Sequence, residues 1–511
     1  MLGQGLTSLA EGFQLLTDPI VLVMIFAGVV WGCICGVLPG TGSGVALGVA
    51  VPVTFTLEPV PAVAFLVTIS VAVSYANGLP ATVLGIPNAP PSVFTAIEGY
   101  ALTKQGKGGL AIAHNWFSCV TGQLMSIPFF VVLIVPLSTL SYSFLAPEMF
   151  ALYCLGMAAL VSLTGKNILK GFAAAAVGFS IAFIGPDPVS NVPRFDFDVP
   201  ELRVGLEIIP VVLGFVTVSE IIRGMRQVYS WDELVGPAGM VTKFPGFGVL
   251  RKSLRPIFTG SIIGTLVGAI PGLSGTAAAV MSYNQAKLTS KTPEQFGKGS
   301  VEGISSNESA QNASQAGEMV PTLGLGIPGS DSMVLVLGAL LLQGFVPGPR
   351  LITESPELLY ATVAGLLGTV FYLFLIGWPT AKLVLQVSRV DRRIVLPLAL
   401  LMTLVGVYSL RRSVFDVFVL LICGVIGYFM LRYGYSIQAA GVAVILAGGF
   451  ESNLRQGLLL EDSSLIGFAT RPWTAVILSA ALALIVYGTM ATVRLVRRER
   501  RLAESGQLPV G

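Results

Sequence analysis

Charged side chains are scarce in this chain. Lys, Arg, Asp and Glu make up 11% of its 511 residues, where an ordinary globular chain carries roughly a quarter. So few charges cannot cover the surface of a water-soluble protein of this length, and a soluble fold is excluded. Histidine is almost missing. His114 is the only one; two residues before Trp116, at the start of an apolar run, it reads as an interfacial residue. No Ser/His/Asp set and no metal-ligand cluster is visible, so an enzyme is not expected. The five cysteines (Cys33, Cys35, Cys119, Cys154 and Cys423) all lie in apolar segments. Cys33 and Cys35 lack partner ligands and read as small buried hydrophobes. A basic n-region is lacking too: Glu11 and Asp18 precede the first apolar run, so no cleavable signal peptide is expected. The run Gly40-Thr41-Gly42-Ser43-Gly44 has no Gly-Lys-Ser/Thr ending and is not a phosphate loop. A net charge of +3 gives no reason to expect nucleic acid.

What is present is apolar sequence in long runs. Hydrophobic residues make up 54% and mean hydropathy is +0.81. Runs long enough to span a bilayer lie near 19–38, 110–138, 148–164, 168–184, 206–222, 357–378, 394–410, 414–431, 435–450 and 472–493. The regions 39–97 and 256–345 are equally apolar but broken by Gly and Pro. The expected fold is an all-α polytopic membrane protein with about a dozen transmembrane elements.

One stretch organises the rest. It opens on Gly268-Ala269-Ile270-Pro271-Gly272-Leu273-Ser274-Gly275-Thr276, passes through the polar run from Glu302 to Glu318, and closes on Gly324-Leu325-Gly326-Ile327-Pro328-Gly329-Ser330-Asp331. Helix breaks and polar groups at membrane depth are tolerated where they line a cavity or are buried in protein. A weaker copy precedes it: Gly36-Val37-Leu38-Pro39-Gly40-Thr41-Gly42-Ser43-Gly44, then Val83-Leu84-Gly85-Ile86-Pro87-Asn88, in the same order. The charges after each motif reverse between copies. Thr56-Leu57-Glu58-Pro59 corresponds to a loop holding Lys287, Lys291 and Lys298; Glu98, Lys104 and Lys107 correspond to Arg350, Glu354 and Glu357. Under the positive-inside rule this predicts an inverted-topology repeat with two helical hairpins. The domain reading is therefore 1–222 as the first half, with a hairpin at 19–57, a broken helix region at 61–97 and connecting spans. Residues 223–255 form a cytoplasmic linker. Residues 256–493 form the second half, with a hairpin at 256–286, a broken helix region at 300–345 and closing spans. Residues 494–511 are a basic cytoplasmic tail. The loop 185–205 reads as external; Arg411 and Arg412 then fall on the external side, against the charge rule.

These residues resemble the large membrane subunit of the tripartite tricarboxylate transporter family (TctA-like permeases), over about 20 to 490. The match is most specific at Pro271-Gly272, at Lys291-Thr292-Pro293-Glu294-Gln295-Phe296-Gly297-Lys298-Gly299, at Val301-Glu302-Gly303 and at Leu325-Gly326-Ile327-Pro328-Gly329-Ser330; Phe345-Val346-Pro347-Gly348-Pro349 and Gly99-Tyr100 also fit. The resemblance implies a multi-pass secondary transporter of the bacterial inner membrane. It implies a small four-helix membrane subunit and a periplasmic solute-binding protein as partners. Small carboxylates would be imported with Na+ or H+ as coupling ion and no cofactor. The alternative is a stand-alone carboxylate carrier with no binding protein. The chain departs from the pattern at Asn88, at Asn77-Gly78-Leu79-Pro80 and at Glu318.

A carboxylate out of water needs donors, and broken helices expose N–H groups at a positive dipole end. Gly40, Thr41, Ser43, Gly272, Ser274, Thr276, Ser330 and Asn312 are the substrate candidates; for the hydroxyls the alternative is plain helix capping. A cation needs oxygens, which makes Asn88, Asp331, Pro87 and Pro328 the ion-site candidates, with N-capping the alternative for Asp331. Glu308 and Glu318 are proton-relay candidates, because buried carboxylates carry protons in transporters. Single cysteines placed at 105 and 290 are expected to react with an impermeant maleimide only from the cytoplasmic side. Labelling of the two from opposite sides would break the charge argument.

Overall fold

The structure is a computed structural model describing residues 2–38, 41–141, 144–163, 168–187, 190–226, 245–273, 275–345, 348, 351–378, 381, 392–461 and 464–504. Gly40, Ser274 and most of the 223–255 linker lie outside the described residues. The helices are α1 (Leu2–Leu15), α2 (Pro19–Val37), α3 (Ser43–Thr54), α4 (Pro59–Leu84), α5 (Val93–Lys104), α6 (Gly108–Ser141), α7 (Ala146–Leu163), α8 (Ile168–Ala182), α9 (Ile208–Arg226), α10 (Leu254–Gly268), α11 (Gly275–Thr289), α12 (Val301–Leu325), α13 (Asp331–Leu342), α14 (Pro356–Gly377), α15 (Arg392–Arg411), α16 (Val414–Arg432), α17 (Ile437–Leu460) and α18 (Pro472–Glu504). Nine helices among the described residues are long and apolar enough to cross a membrane. Extended pairing among the described residues is confined to Gly185–Pro186 against Pro193–Arg194. The chain is an all-α multi-pass membrane protein.

It divides into two compact units, Met1–Tyr142 with Ile209–Tyr428, and Ser143–Ile208 with Phe429–Gly511. Both copies of the broken motif lie in the first unit.

Two helix pairs in that unit are built alike. Gly28, Gly32 and Gly36 of α2 face the carbonyls of Phe65, Ile69 and Val73 of α4; a Cβ there would lie only 2.8–3.0 Å from those oxygens. Gly260, Gly264 and Gly268 of α10 face the carbonyls of Ser306, Ala310 and Ser314 of α12, where a Cβ would lie 2.3–2.7 Å away. In lipid no hydrophobic force draws helices together, so close contact through small residues is what holds such pairs. The partners α4 and α12 also agree in detail. Each has an internal proline (Pro80, Pro321) and stops on a left-handed glycine, Gly85 at φ 70° and Gly326 at φ 69°, followed by Ile-Pro. Only glycine takes that conformation without cost.

The copies interlock. Helix α3 packs on α13, and Gln343 donates to the Thr54 carbonyl at 3.2 Å. Helix α11 packs on Pro90–Ser92 and α5, where Phe94 stacks on Tyr283 at 4.2 Å. Gln105, beyond α5, donates to the Lys298 carbonyl at 2.9 Å, so the two basic loops lie side by side.

The second unit packs α7 against α17 and α18, and α8 against α17. Its polar ends are closed by ion pairs: Glu148 with Arg471 at 2.6 Å, Glu451 with Arg194 at 2.8 Å, and Asp187 with Arg455 at 2.8 Å. Asp196 and Asp198 pair with Arg203, so most of the 185–205 loop charge is matched within that unit.

Gly264→Leu is expected to lower the melting temperature in detergent by several degrees, since overpacking costs about 1–3 kcal/mol. Gly248→Ala, which meets nothing within 4 Å, is expected to leave it unchanged. Thermal unfolding of both variants checks this.

Candidate functional site

Helix α12 is the polar centre of the first unit. Ser300 caps its start by accepting the Gly303 N–H at 3.1 Å. Ser305, Asn307, Glu308, Gln311, Asn312 and Glu318 all lie on it and all are buried. A helix this polar would be solvated in water. Here it is enclosed by α4, α5, α6, α10 and α11, so its side chains must find partners within the protein.

At its C-terminal end both breaks of the second copy come together on one carboxylate. Glu318 Oε1 accepts the N–H of Gly275, the first residue of α11, at 3.2 Å. Oε2 accepts the hydroxyl of Ser330, which precedes α13, at 2.6 Å. Ser314 adds a longer contact of 3.4 Å. The backbone repeats the link: Gly272 N–H donates to the Gly329 carbonyl at 3.3 Å, and Gly329 N–H to Thr322 Oγ1 at 3.1 Å. Gly272 itself sits at φ 80°. Two helix N-termini thus converge on a negative group, as their dipoles favour.

The first copy is joined by an amide instead. Asn88 Nδ2 donates to the carbonyls of Gly36 and Leu38 at 2.6 and 3.1 Å, and to Asn77 Oδ1 at 3.2 Å. Asn77 and Glu318 hold the same place relative to the glycine caps of α4 and α12. Thr41 Oγ1 donates to the carbonyls of Cys35 and Leu38, both at 2.6 Å. It therefore serves the carbonyl end of α2 and not the N–H end of α3, where it was expected. Ser43 and Thr276, each in the first turn of its helix, are half-buried.

Asp331 stands exposed at the first position of α13, and Pro328 is buried while Pro87 is exposed. Glu318 is buried and Glu220 half-buried. Glu220, on α9, approaches the start of α3 so closely that a Cβ on Gly44 would lie 2.6 Å from its Oε2, and that oxygen has no hydrogen-bond partner. A π-turn at Gly214–Val218 precedes Glu220 and turns Thr217 Oγ1 onto the Gly44 carbonyl at 3.0 Å.

Glu308 and Glu318 lie in different surroundings. They are separated by about 15 Å along the helix axis and belong to different clusters. Glu308 accepts from Thr95 and, at 3.3 Å, from the Cys119 thiol. Asn312 joins this cluster, not the breaks: its Nδ2 donates to Cys119 Sγ at 2.9 Å. Among the described residues no group of three or more His, Cys, Asp or Glu is arranged to hold a metal ion.

Two placements add to the sequence reading. His114 is buried within the protein, with Nδ1 at 3.2 Å from both Ser305 and Ser253. Glu98 reads in the sequence as a loop charge. It is wholly buried and accepts the N–H groups of Gly297, Gly299 and Ser300 and the Tyr283 hydroxyl. Glu220, Glu98, Thr95 and Cys119 gave no signal of their own in the sequence. Asn77 did: alignment on Gly-Ile-Pro puts it opposite Glu318.

The model of the tripartite tricarboxylate transporter TctA family matches residues 22–442. The chain belongs to that family. It is also similar to two proteins of Agrobacterium vitis. One is described as an uncharacterized 52.8 kDa protein in the TAR-I ttuC' 3' region, 30% identical over 96% of this chain and 97% of that protein. The other, an uncharacterized protein in the TAR-II ttuC' 3' region, is 30% identical over 45% of this chain and 96% of its own length. No solved structure matches the chain. Family membership makes this a component of a tripartite transport system and not a member of an enzyme family.

Glu98→Ala would remove the acceptor of three N–H groups and one hydroxyl, those of Ser300 and Tyr283 in buried residues. It is expected to destabilise the protein by roughly 3 kcal/mol or more, against about 1 kcal/mol for Tyr283→Phe. Melting temperatures of the two variants in one detergent test the ranking.

Proposed function

We propose that this chain is the permease subunit of a binding-protein-dependent secondary transporter in the bacterial inner membrane. It imports small carboxylates together with Na+ or H+. A periplasmic solute-binding protein delivers the substrate, and a small four-helix membrane subunit completes the complex. The observation that carries the reading is the Glu318 bridge. The chain's own carboxylate is held between the N–H of Gly275 and the hydroxyl of Ser330, so these two helix starts already accept the chemical group that a substrate would bring. Thr276 and Ser43, half-buried in first turns, extend the donor set together with Gly272; Gly40 and Ser274, outside the described residues, are the further candidates next to them in sequence. Asp331, exposed at the first position of α13, is the ion-side group, with the carbonyl turns at Pro87-Asn88 and Pro328.

The two copies are an inverted duplication in this reading. Three matched glycines, two matched prolines and two matched glycine caps support the duplication. The neighbouring basic loops, and the contact of Gln343 with Thr54 at the other ends of α3 and α13, support the inversion. Alternating access follows if one broken pair rocks against the other, since each broken helix supplies half of the site.

Uptake into proteoliposomes containing all three components, with a panel of carboxylates and with Na+ and pH gradients imposed separately, tests the assignment. Saturable uptake of a di- or tricarboxylate driven by one gradient is expected. Uptake that needs no binding protein would favour the stand-alone carrier. Ser330→Ala is expected to raise the KM about tenfold, the value of one hydrogen bond to a charged group. Asp331→Ala is expected to weaken cation dependence; unchanged dependence removes Asp331 from the ion site.

A further inference from the structure

A second carboxylate on α12 sits in a setting that the substrate reading leaves unused. Glu308 is fully buried. It accepts from Thr95 and from the Cys119 thiol, and no ion pair among the described residues includes it. Its neighbours are rich in oxygen that is not spent. Asn307 uses its Nδ2 on Thr95 at 2.8 Å, and Asn312 uses its Nδ2 on Cys119 and on the Glu308 carbonyl at 2.9 and 3.0 Å. The amide oxygens of Asn307 and Asn312 are then buried with no hydrogen-bond partner. Both residues are completely buried. Asn115, whose Nδ2 is also without a partner, lies with Glu308 Oε1 against Gly78, where a Cβ would strike both. Gly78 leaves room for both side chains.

Buried acceptors without donors carry a desolvation penalty. A bare buried carboxylate adds a larger one. A cation removes both at once, because one positive charge balances Glu308 and its coordination takes up the spare oxygens. The donor set is hard oxygen, carboxylate, amide and hydroxyl, which suits alkali and alkaline-earth ions over zinc or copper. A single carboxylate neutralises one charge. A divalent ion would leave a net positive charge buried, so the fit is to a monovalent ion.

We infer that Glu308, the amide oxygens of Asn307 and Asn312 and the Thr95 hydroxyl form a dehydrated binding site for one monovalent cation, with Na+ as the probe. The site joins α5 and α12, with Cys119 supplied from α6. Its role in coupling rests on the transport reading above; its chemistry does not. An ion there would tie α5, which follows the first Ile-Pro break, to the polar helix that ends in the second break. Cation occupancy would thereby set how the two broken copies meet.

The test is direct ion binding to the purified full-length protein without substrate or partner. Binding of radioactive Na+ by scintillation proximity, and the melting temperature in NaCl against choline chloride, are read in parallel. The wild type is expected to show saturable binding and a Na+-dependent rise in melting temperature. Glu308→Gln is expected to abolish both, and Asn312→Ala to weaken the apparent Kd about tenfold, the scale of one lost ligand. Glu308→Asp, which keeps the charge, controls for misfolding and is expected to retain weaker binding. No Na+ dependence in the wild type, a melting temperature that responds to pH alone, or binding that survives Glu308→Gln would each overturn the site. The transport reading fails separately: Na+ bound at Glu308 with no carboxylate uptake in proteoliposomes would overturn that reading and leave the cation site standing.

Discussion

A helix broken inside a membrane protein frees N–H and carbonyl groups that have no water to turn to. The first unit of this chain is arranged around that constraint. Each copy has two breaks, and in each copy one polar side chain closes them: Glu318 for the N–H ends of the second, Asn88 with Asn77 for the carbonyl ends of the first. The two solutions differ in sign. A carboxylate suits helix starts and an amide donor suits helix ends. Similar backbones are therefore closed by different chemistry.

The rest of the packing follows from holding those closures in place. The glycine stripes of α2 and α10 bring backbone against backbone, which sets α4 and α12 at fixed depth. Interlocking of α3 with α13 and of α11 with α5 then lets each copy bound the other's break. Glu98 anchors the start of α12 through four bonds, so both ends of the polar helix are pinned. A helix with so many buried polar groups is held by satisfied partners more than by apolar area, and unsatisfied ones on it stand out.

Asn88, Asn77 and Glu318 all stand at the breaks. A change in those side chains alters which charge the turns present.

Composition and Gly-Pro punctuation alone determined the membrane class, the helical architecture and the two broken motifs, because lipid leaves a chain few ways to satisfy its backbone; the family came from the resemblance of particular motifs such as Lys291–Gly299 and Leu325–Ser330. The matched order of the motifs also showed where to look for a site. Which side chains meet there was decided only by tertiary structure. Glu98 reads as a loop charge until three N–H groups from residues 297–300 are seen to close on it. Nothing local marks His114 as the residue that Ser253 and Ser305 enclose. Glu220 and Cys119 lie in apolar runs far from either motif, and no local pattern announces a neighbour that the chain reaches only after folding. Hydropathy records the environment a segment prefers; it carries no record of the partner that a buried polar atom finds.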